Sequence, residues 1–182
     1  MSKQGDFMRK GKGKLLLFDL LLLIILVAID YMTKKMAVIK LKDQPAFNII
    51  DGVLEFNYLE NRGAAFGMLQ NQKMFFVFVA FVFLGVIVFV LFRAPYEKRY
   101  FKLHILLTMI AAGAIGNMMD RLKLDYVVDF IYIVLINFPI FNVADMYVTF
   151  ATAILIIEVL FVYKENDFNF LSFDQKKFRE LR

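Results

Sequence analysis

Residues 74–92 read MFFVFVAFVFLGVIVFVLF, nineteen consecutive residues without a charge. About 20 apolar residues in a helix cross the hydrocarbon core of a bilayer, so this stretch predicts a transmembrane span. Three further runs have the same character. Leu103–Met119 is uncharged, with His104 near its start. Leu15–Met32 holds Asp19 near its start and Asp30 near its end, and Met146–Tyr163 holds only Glu158. Carboxylates near the end of a span reach the headgroup region and cost less than a charge at the bilayer centre. The chain therefore reads as four spans, about 15–32, 74–92, 103–119 and 146–163. They form one membrane domain over 1–163, with segments 33–73 and 120–145 on one side of the bilayer and a tail, 164–182, on the other.

Composition agrees. Of 182 residues 60% are hydrophobic, and mean hydropathy is +0.63. Soluble domains average 45–50% apolar including glycine, so an ordinary water-soluble, disordered or collagen-like chain is excluded. The absence of cysteine excludes a disulfide scaffold, a thiolate metal site and a cysteine nucleophile. A single histidine, His104, argues against a histidine-based triad or a multi-histidine metal site. No cofactor or metal is expected.

The basic residues set the orientation. Residues 1–14, the 93–102 turn and the tail hold 14 of the 22 lysines and arginines, whereas segments 30–73 and 120–145 hold the remaining eight with nine acids. Both termini are therefore expected in the cytoplasm. The net charge of +5 reflects this topology and contact with anionic phospholipids, and calls for no nucleic acid. Ala28-Ile29-Asp30 offers no small-residue cleavage site, so the first span is expected to be retained, not removed as a leader. In the first outward segment, Asn48–Tyr58 alternates around Asp51-Gly52 and predicts a hairpin. In the second, Ile131–Phe141 carries no charge and is expected to lie on the membrane or fold over the site.

Polar residues concentrate near the outer ends of the spans, where ionisable groups often mark function. Asp30 and Lys34 stand four apart, which suits an ion pair ending a helix. Asn61-Arg62-Gly63-Ala64-Ala65-Phe66-Gly67 suits either close approach to a ligand or tight packing in lipid. Asn117, Asp120 and Arg121 fall on one helix face, with Asp120 expected to pair with Arg121 and act as a clamp. Asp129 sits among Val127, Val128 and Phe130, where burial favours its protonated form. Asn142 and Asp145 have capping-box spacing, and a helix N-terminus favours an ionised Asp145. Two carboxylates whose environments separate their pKa values are what general acid–base chemistry needs. An ionised member activates water against a peptide carbonyl while its protonated partner serves as acid.

In this order, Asp30 with Thr33-Lys34, Asn61-Arg62-Gly63-Ala64-Ala65-Phe66, Gly116-Asn117-Met118-Met119-Asp120-Arg121, Val128-Asp129-Phe130 and Phe141-Asn142-Val143-Ala144-Asp145 resemble the lipoprotein signal peptidase (signal peptidase II) family. The resemblance implies an all-α integral membrane fold with four transmembrane helices. It adds a small extracytoplasmic β-sheet before Asn61 and a loop or short helix over the site. It implies an aspartic endopeptidase of the bacterial inner membrane, active at the periplasmic side. Such an enzyme cuts prolipoproteins before a diacylglyceryl-modified cysteine and is blocked by globomycin. The implied dyad is Asp129 and Asp145. Asn61, Gly63, Asn117, Asp120, Arg121 and Asn142 support it, with Asp30 nearer the periphery. A monomer in a phospholipid bilayer is expected. The 129–145 interval departs from relatives in lacking tryptophan, Gly67 stands where serine is common, and the longer tail, with Phe168, Phe170, Phe173 and Phe178, reads as a membrane-surface segment. A small proton-coupled transporter using Asp129, Asp120 and Arg121 is the rival, but would be expected to place polar groups near the midplane in broken helices. A non-catalytic scaffold would leave the polar pairs as caps.

Overall fold

The computed structural model describes residues 3–63 and 68–172, and for 3–10 the backbone only. The chain runs α1 (Lys3–Leu41), β1 (Phe47–Ile50), β2 (Leu54–Asn61), α2 (Lys73–Arg93), α3 (Phe101–Leu124), β3 (Val127–Ile133) and α4 (Val143–Phe161). Short 3₁₀ turns occupy Lys98–Tyr100, Val134–Ile136 and Glu165–Leu171. Four helices are long and apolar enough to cross a membrane, the first over Gly11–Leu41 and the third including the turn at Lys98. Ala64 to Gly67, and Phe173 and Phe178 of the tail, lie outside the described residues.

α2 is apolar all round and keeps little of itself inside: Phe78, Phe81 and Phe83 are each at least 60% exposed, the pattern of a lipid-facing helix. It stops at Ala94, which is forced into an extended conformation (φ −55°, ψ 136°) by Pro95. α3 is the centre of the bundle and packs against the other three helices. Its buried face carries Leu103, Leu106, Leu107, Ala111, Ala112, Gly113 and Gly116. Between helices in lipid, small residues permit close packing. A Cβ on Gly113 would run into the Ala144 carbonyl and the Val148 side chain of α4, and one on Gly116 would strike the Asp30 carboxylate of α1. Gly113→Ala is therefore expected to push α4 outward and destabilise the bundle by about 1–3 kcal/mol. Thermal unfolding in detergent checks this, and an unchanged midpoint would refute the tight contact.

α1 continues nine residues beyond the expected end at Met32, because Asp30 and Lys34 are buried against α3 and do not end the helix at the membrane surface. The hairpin forms where the alternation places it, with Gly52 in the left-handed region (φ 70°) and Val53 N–H donating to the Ile50 carbonyl. β3 adds an antiparallel third strand in the order β1-β2-β3, pairing Leu59 with Asp129 and Asn61 with Val127. This strand occupies part of the segment read as a loop or short helix over the site, and Val134–Ile136 forms a short helix after it. Its inner half, Val127–Phe130, is buried on both faces, which explains an apolar run without alternation. The following loop folds back, and Phe141 N–H donates to the Ile131 carbonyl at 3.0 Å. The sheet and this loop cap one end of the bundle. At the opposite end Lys12 donates to the Phe92 carbonyl in the last turn of α2, and Arg93 and Arg99 tie the 93–102 turn to the segment after α4.

Candidate active site

Asp129 projects from β3 and Asp145 from the first turn of α4, and Asn142 joins them. Its side-chain amide donates to Asp129 Oδ1 (2.6 Å), its backbone N–H donates to Asp145 Oδ2 (3.1 Å), and its Oδ1 accepts from Asp145 N–H (3.0 Å). The last two bonds are the capping box that starts α4. One residue thus performs the local task expected of a cap and also holds both acids.

The other two carboxylate oxygens are also occupied. Asn61 Nδ2, at the end of β2, donates to Asp129 Oδ2 at 2.8 Å, and Asn117 Nδ2 on α3 donates to Asp145 Oδ1 at 2.7 Å. Four amide donors thus fix two side chains, each oxygen keeping lone-pair capacity for a further partner. Asp129 is 1% exposed. Burial pushes its carboxyl up to about 7, and the negative charge of Asp145 adds to the rise; the Asn61 and Asn142 amides and Lys34 pull the other way.

Behind the two acids lies a buried charge network. Lys34 Nζ meets Asp30 Oδ2 at 2.9 Å and Asp120 Oδ2 at 3.1 Å and donates to Asn117 Oδ1 at 2.8 Å. Asp30 Oδ1 accepts from Ala144 N–H at 2.9 Å, and Asp120 Oδ2 accepts from Val128 N–H at 3.2 Å. Each carboxylate therefore holds the backbone immediately before one of the two candidate acids.

Two expectations are corrected. Asp30 is not peripheral: it is 1% exposed and lies behind Asp145. Asp120 pairs with Lys34 and not with Arg121, because the inward α3 face aims Asp120 at α1 while Arg121 reaches outward. Arg121 Nη2 donates to the Gly63 carbonyl at 3.0 Å, and its guanidinium lies 4.5 Å from the Phe76 ring centroid. Gly63 N–H in turn donates to Asn61 Oδ1 at 2.9 Å, so Arg121 and Gly63 orient Asn61. Asn117, Asp120 and Arg121 share one side of α3, as their spacing requires.

The ion pair expected of Asp30 and Lys34 forms at 2.9 Å, but the sequence reading missed the further partners of Lys34, Asp120 and Asn117. The signal was present: a lysine one turn past Asp30, at the end of an apolar run, is placed to turn inward. Among the described residues no three His, Cys, Asp or Glu side chains converge as metal ligands.

Residues 22–161 match the family model described as Signal peptidase (SPase) II. The chain belongs to the signal peptidase II family. Lipoprotein signal peptidases of Streptococcus pyogenes serotype M5 (strain Manfredo) and serotype M18 (strain MGAS8232) are each 38% identical to it over 146 residues, 80% of this chain and 93% of theirs. Two solved structures described as bacterial membrane enzymes superpose with TM-scores of 0.71. One is 30% identical over 80% of this chain and 94% of its own; the other is 29% identical over 81% and 92%. Signal peptidase II membership makes this chain a multi-pass bacterial membrane protein and a peptidase. The Asn-bridged acids lie within the matched residues, in the four-helix fold with a small sheet that the family resemblance implies.

Proposed function

We propose that this peptidase removes signal peptides from bacterial lipoproteins by aspartic chemistry, with Asp129 and Asp145 as its dyad. The observation that carries this reading is the Asn142 bridge: one residue holds two buried acids from different elements, with all four oxygens facing donors. Asp129, with its carboxyl near 7, holds the proton of the pair, and Asp145, at the N-terminus of α4, takes the part of the base. Asp145 draws a proton from a bound water as its oxygen attacks the scissile carbonyl, and Asp129 protonates the developing oxyanion. Collapse of the tetrahedral diol breaks the C–N bond as the leaving amine takes the proton now on Asp145, and one hydroxyl of the diol passes its proton to the pair as the carboxylic acid forms, so the dyad again shares one.

In this reading both termini lie in the cytoplasm and the dyad at the outer face of the bacterial inner membrane, an orientation that the basic residues of the chain's ends and of the 93–102 turn support. There a lipid-anchored prolipoprotein reaches the dyad with its diacylglyceryl chains still in the bilayer, and the cut falls before the modified cysteine. Gly63, Arg121, Asn61, Asn117, Asn142, Asp120 and Asp30 hold the acids in place. Globomycin competes for the same position. The proton-carrier reading gains nothing from this geometry, because the acids sit beside a sheet at one end of the bundle.

The test uses purified protein in detergent with a diacylglyceryl-modified prolipoprotein, its unmodified form and globomycin. Cleavage of the modified substrate alone, blocked by globomycin, is expected. No cleavage, with proton flux in proteoliposomes instead, would overturn the reading.

The same chemistry predicts a pH profile. The reaction needs one proton on the pair, and with Asp129 titrating near 7 that proton is lost as pH rises past this value. kcat/KM should fall about tenfold per pH unit on the alkaline side. A flat profile up to pH 9 would refute Asp129 as the acid.

A further inference from the structure

A cavity of about 480 Å³ opens between α1 and the turn joining α2 to α3, at the end of the bundle opposite the dyad. Lys14 and Asp30 are 16 residues apart on one continuous helix, so about 24 Å separates the cavity from the acids. Lys14 and Phe18 line it from α1; Tyr96, Glu97 and Lys98 line it from the turn, and Phe101 from the start of α3.

We propose that this cavity binds the headgroup and upper acyl chains of an anionic phospholipid. Three observations carry the assignment. The first is depth. Lys14 immediately precedes the apolar run of span one, and Lys98 stands just before that of span three, so the cavity lies where a span meets the headgroups. The second is charge. Among the described residues the neighbouring cations are engaged: Lys102 with Glu158, Arg99 with Asp167, Arg93 and Lys12 with backbone carbonyls. Lys14 and Lys98 are exposed and make no ion pair among the described residues. Glu97 in the same wall offsets one of the two charges, which leaves a balance matching the single negative charge of a phosphodiester. The third is the apolar wall. The Phe18 and Phe101 rings lie 5.4 Å apart between centroids, and Tyr96 rests directly on Gly11, where a side chain would collide with its ring. Half-exposed aromatic rings beside unpaired lysines suit a lipid with its phosphate on the lysines and its chains along the rings. A free anion would use only the lysines.

The site is distinct from the peptidase dyad, and its test does not depend on cleavage. Thermal unfolding of the purified full chain is measured in neutral detergent with added phosphatidylglycerol, phosphatidylcholine or inorganic phosphate. Phosphatidylglycerol should raise the midpoint by about 5 °C at saturating concentration, with little change from the other two. In the K14Q/K98Q variant the apparent Kd for phosphatidylglycerol should weaken about 30-fold. Both lysines are exposed, so the variant should keep the wild-type midpoint and basal cleavage activity in lipid-free detergent. An equal rise with phosphatidylcholine, an equal rise with phosphate, or an unchanged phosphatidylglycerol affinity in the variant would each overturn the assignment.

Discussion

Asp129→Asn should abolish prolipoprotein cleavage, and so should Asp145→Asn, each lowering kcat/KM by at least about 10³-fold. Asparagine matches aspartate in shape but neither surrenders nor holds the proton that the reaction moves. The two variants should differ in stability, which separates chemistry from folding. The carboxyl of Asp129 ionises near 7 in the folded protein and near the ordinary 3.8 when unfolded. Between those values the unfolded state binds fewer protons than the folded one, so the contribution of this side chain to stability is fully present below pH 4 and is lost as pH rises towards 7. The fall attributable to this side chain is on the order of 4 kcal/mol at neutral pH and above. Asp129→Asn removes the titrating group and should flatten that part of the stability profile, leaving the variant no less stable than wild type at pH 8. Asp145→Asn leaves one acceptor oxygen for two donors, the Asn142 N–H and the Asn117 amide, so α4 should loosen by about 1 kcal/mol. A variant that folds, keeps its unfolding midpoint at pH 8 and does not cleave identifies a chemical role. A variant that cleaves at close to the wild-type rate removes that residue from the dyad.

The spans were legible because lipid imposes a length and a composition that few other environments share. Met74–Phe92 needed no context at all: an uninterrupted apolar run of that length has almost no alternative. Capping at Asn142 was legible because it is local, an acceptor and an acid three residues apart. β3 was not, because its inner half, Val127–Phe130, is buried on both faces and so shows no alternation to betray a strand. The partners of Asp120 and Lys34 were not legible either. Lys34 lies 83 residues from Asn117 and 86 from Asp120, and which cation meets which acid is decided by the rotation of α1 against α3. That rotation is set by Gly116, where the bare backbone receives the Asp30 carboxylate, and the sequence shows the glycine without showing what comes to fill its place. Arg121 looked like the natural partner of Asp120 only because the two are adjacent in sequence. Adjacent helical positions point about 100° apart, and here that angle sends one to α1 and the other to the Gly63 loop.

Lys34→Met should therefore be the most destabilising single substitution in the bundle. The lysine is 3% exposed and neutralises two carboxylates, Asp30 and Asp120, that are themselves largely buried. Removing one partner of a buried ion pair costs about 3–5 kcal/mol, because the charge left behind has neither water nor a counter-ion. Here two such charges remain, and each accepts from a backbone N–H next to one of the proposed catalytic acids, Ala144 before Asp145 and Val128 before Asp129. Cleavage should fall with stability, and the second effect must be separated from the first. Asp30→Asn in the Lys34→Met background removes one orphaned charge while an amide oxygen still accepts from Ala144. It should restore about 1–3 kcal/mol of the lost stability, read as a partial recovery of the unfolding midpoint. Activity should recover less than stability, because Asn117 Oδ1 still lacks the lysine that orients its amide towards Asp145. Equal recovery of both would show that Lys34 acts only through folding. A Lys34→Met variant with a wild-type midpoint would show that the network holds nothing together, and the positioning of both acids would have to be sought in the asparagines alone.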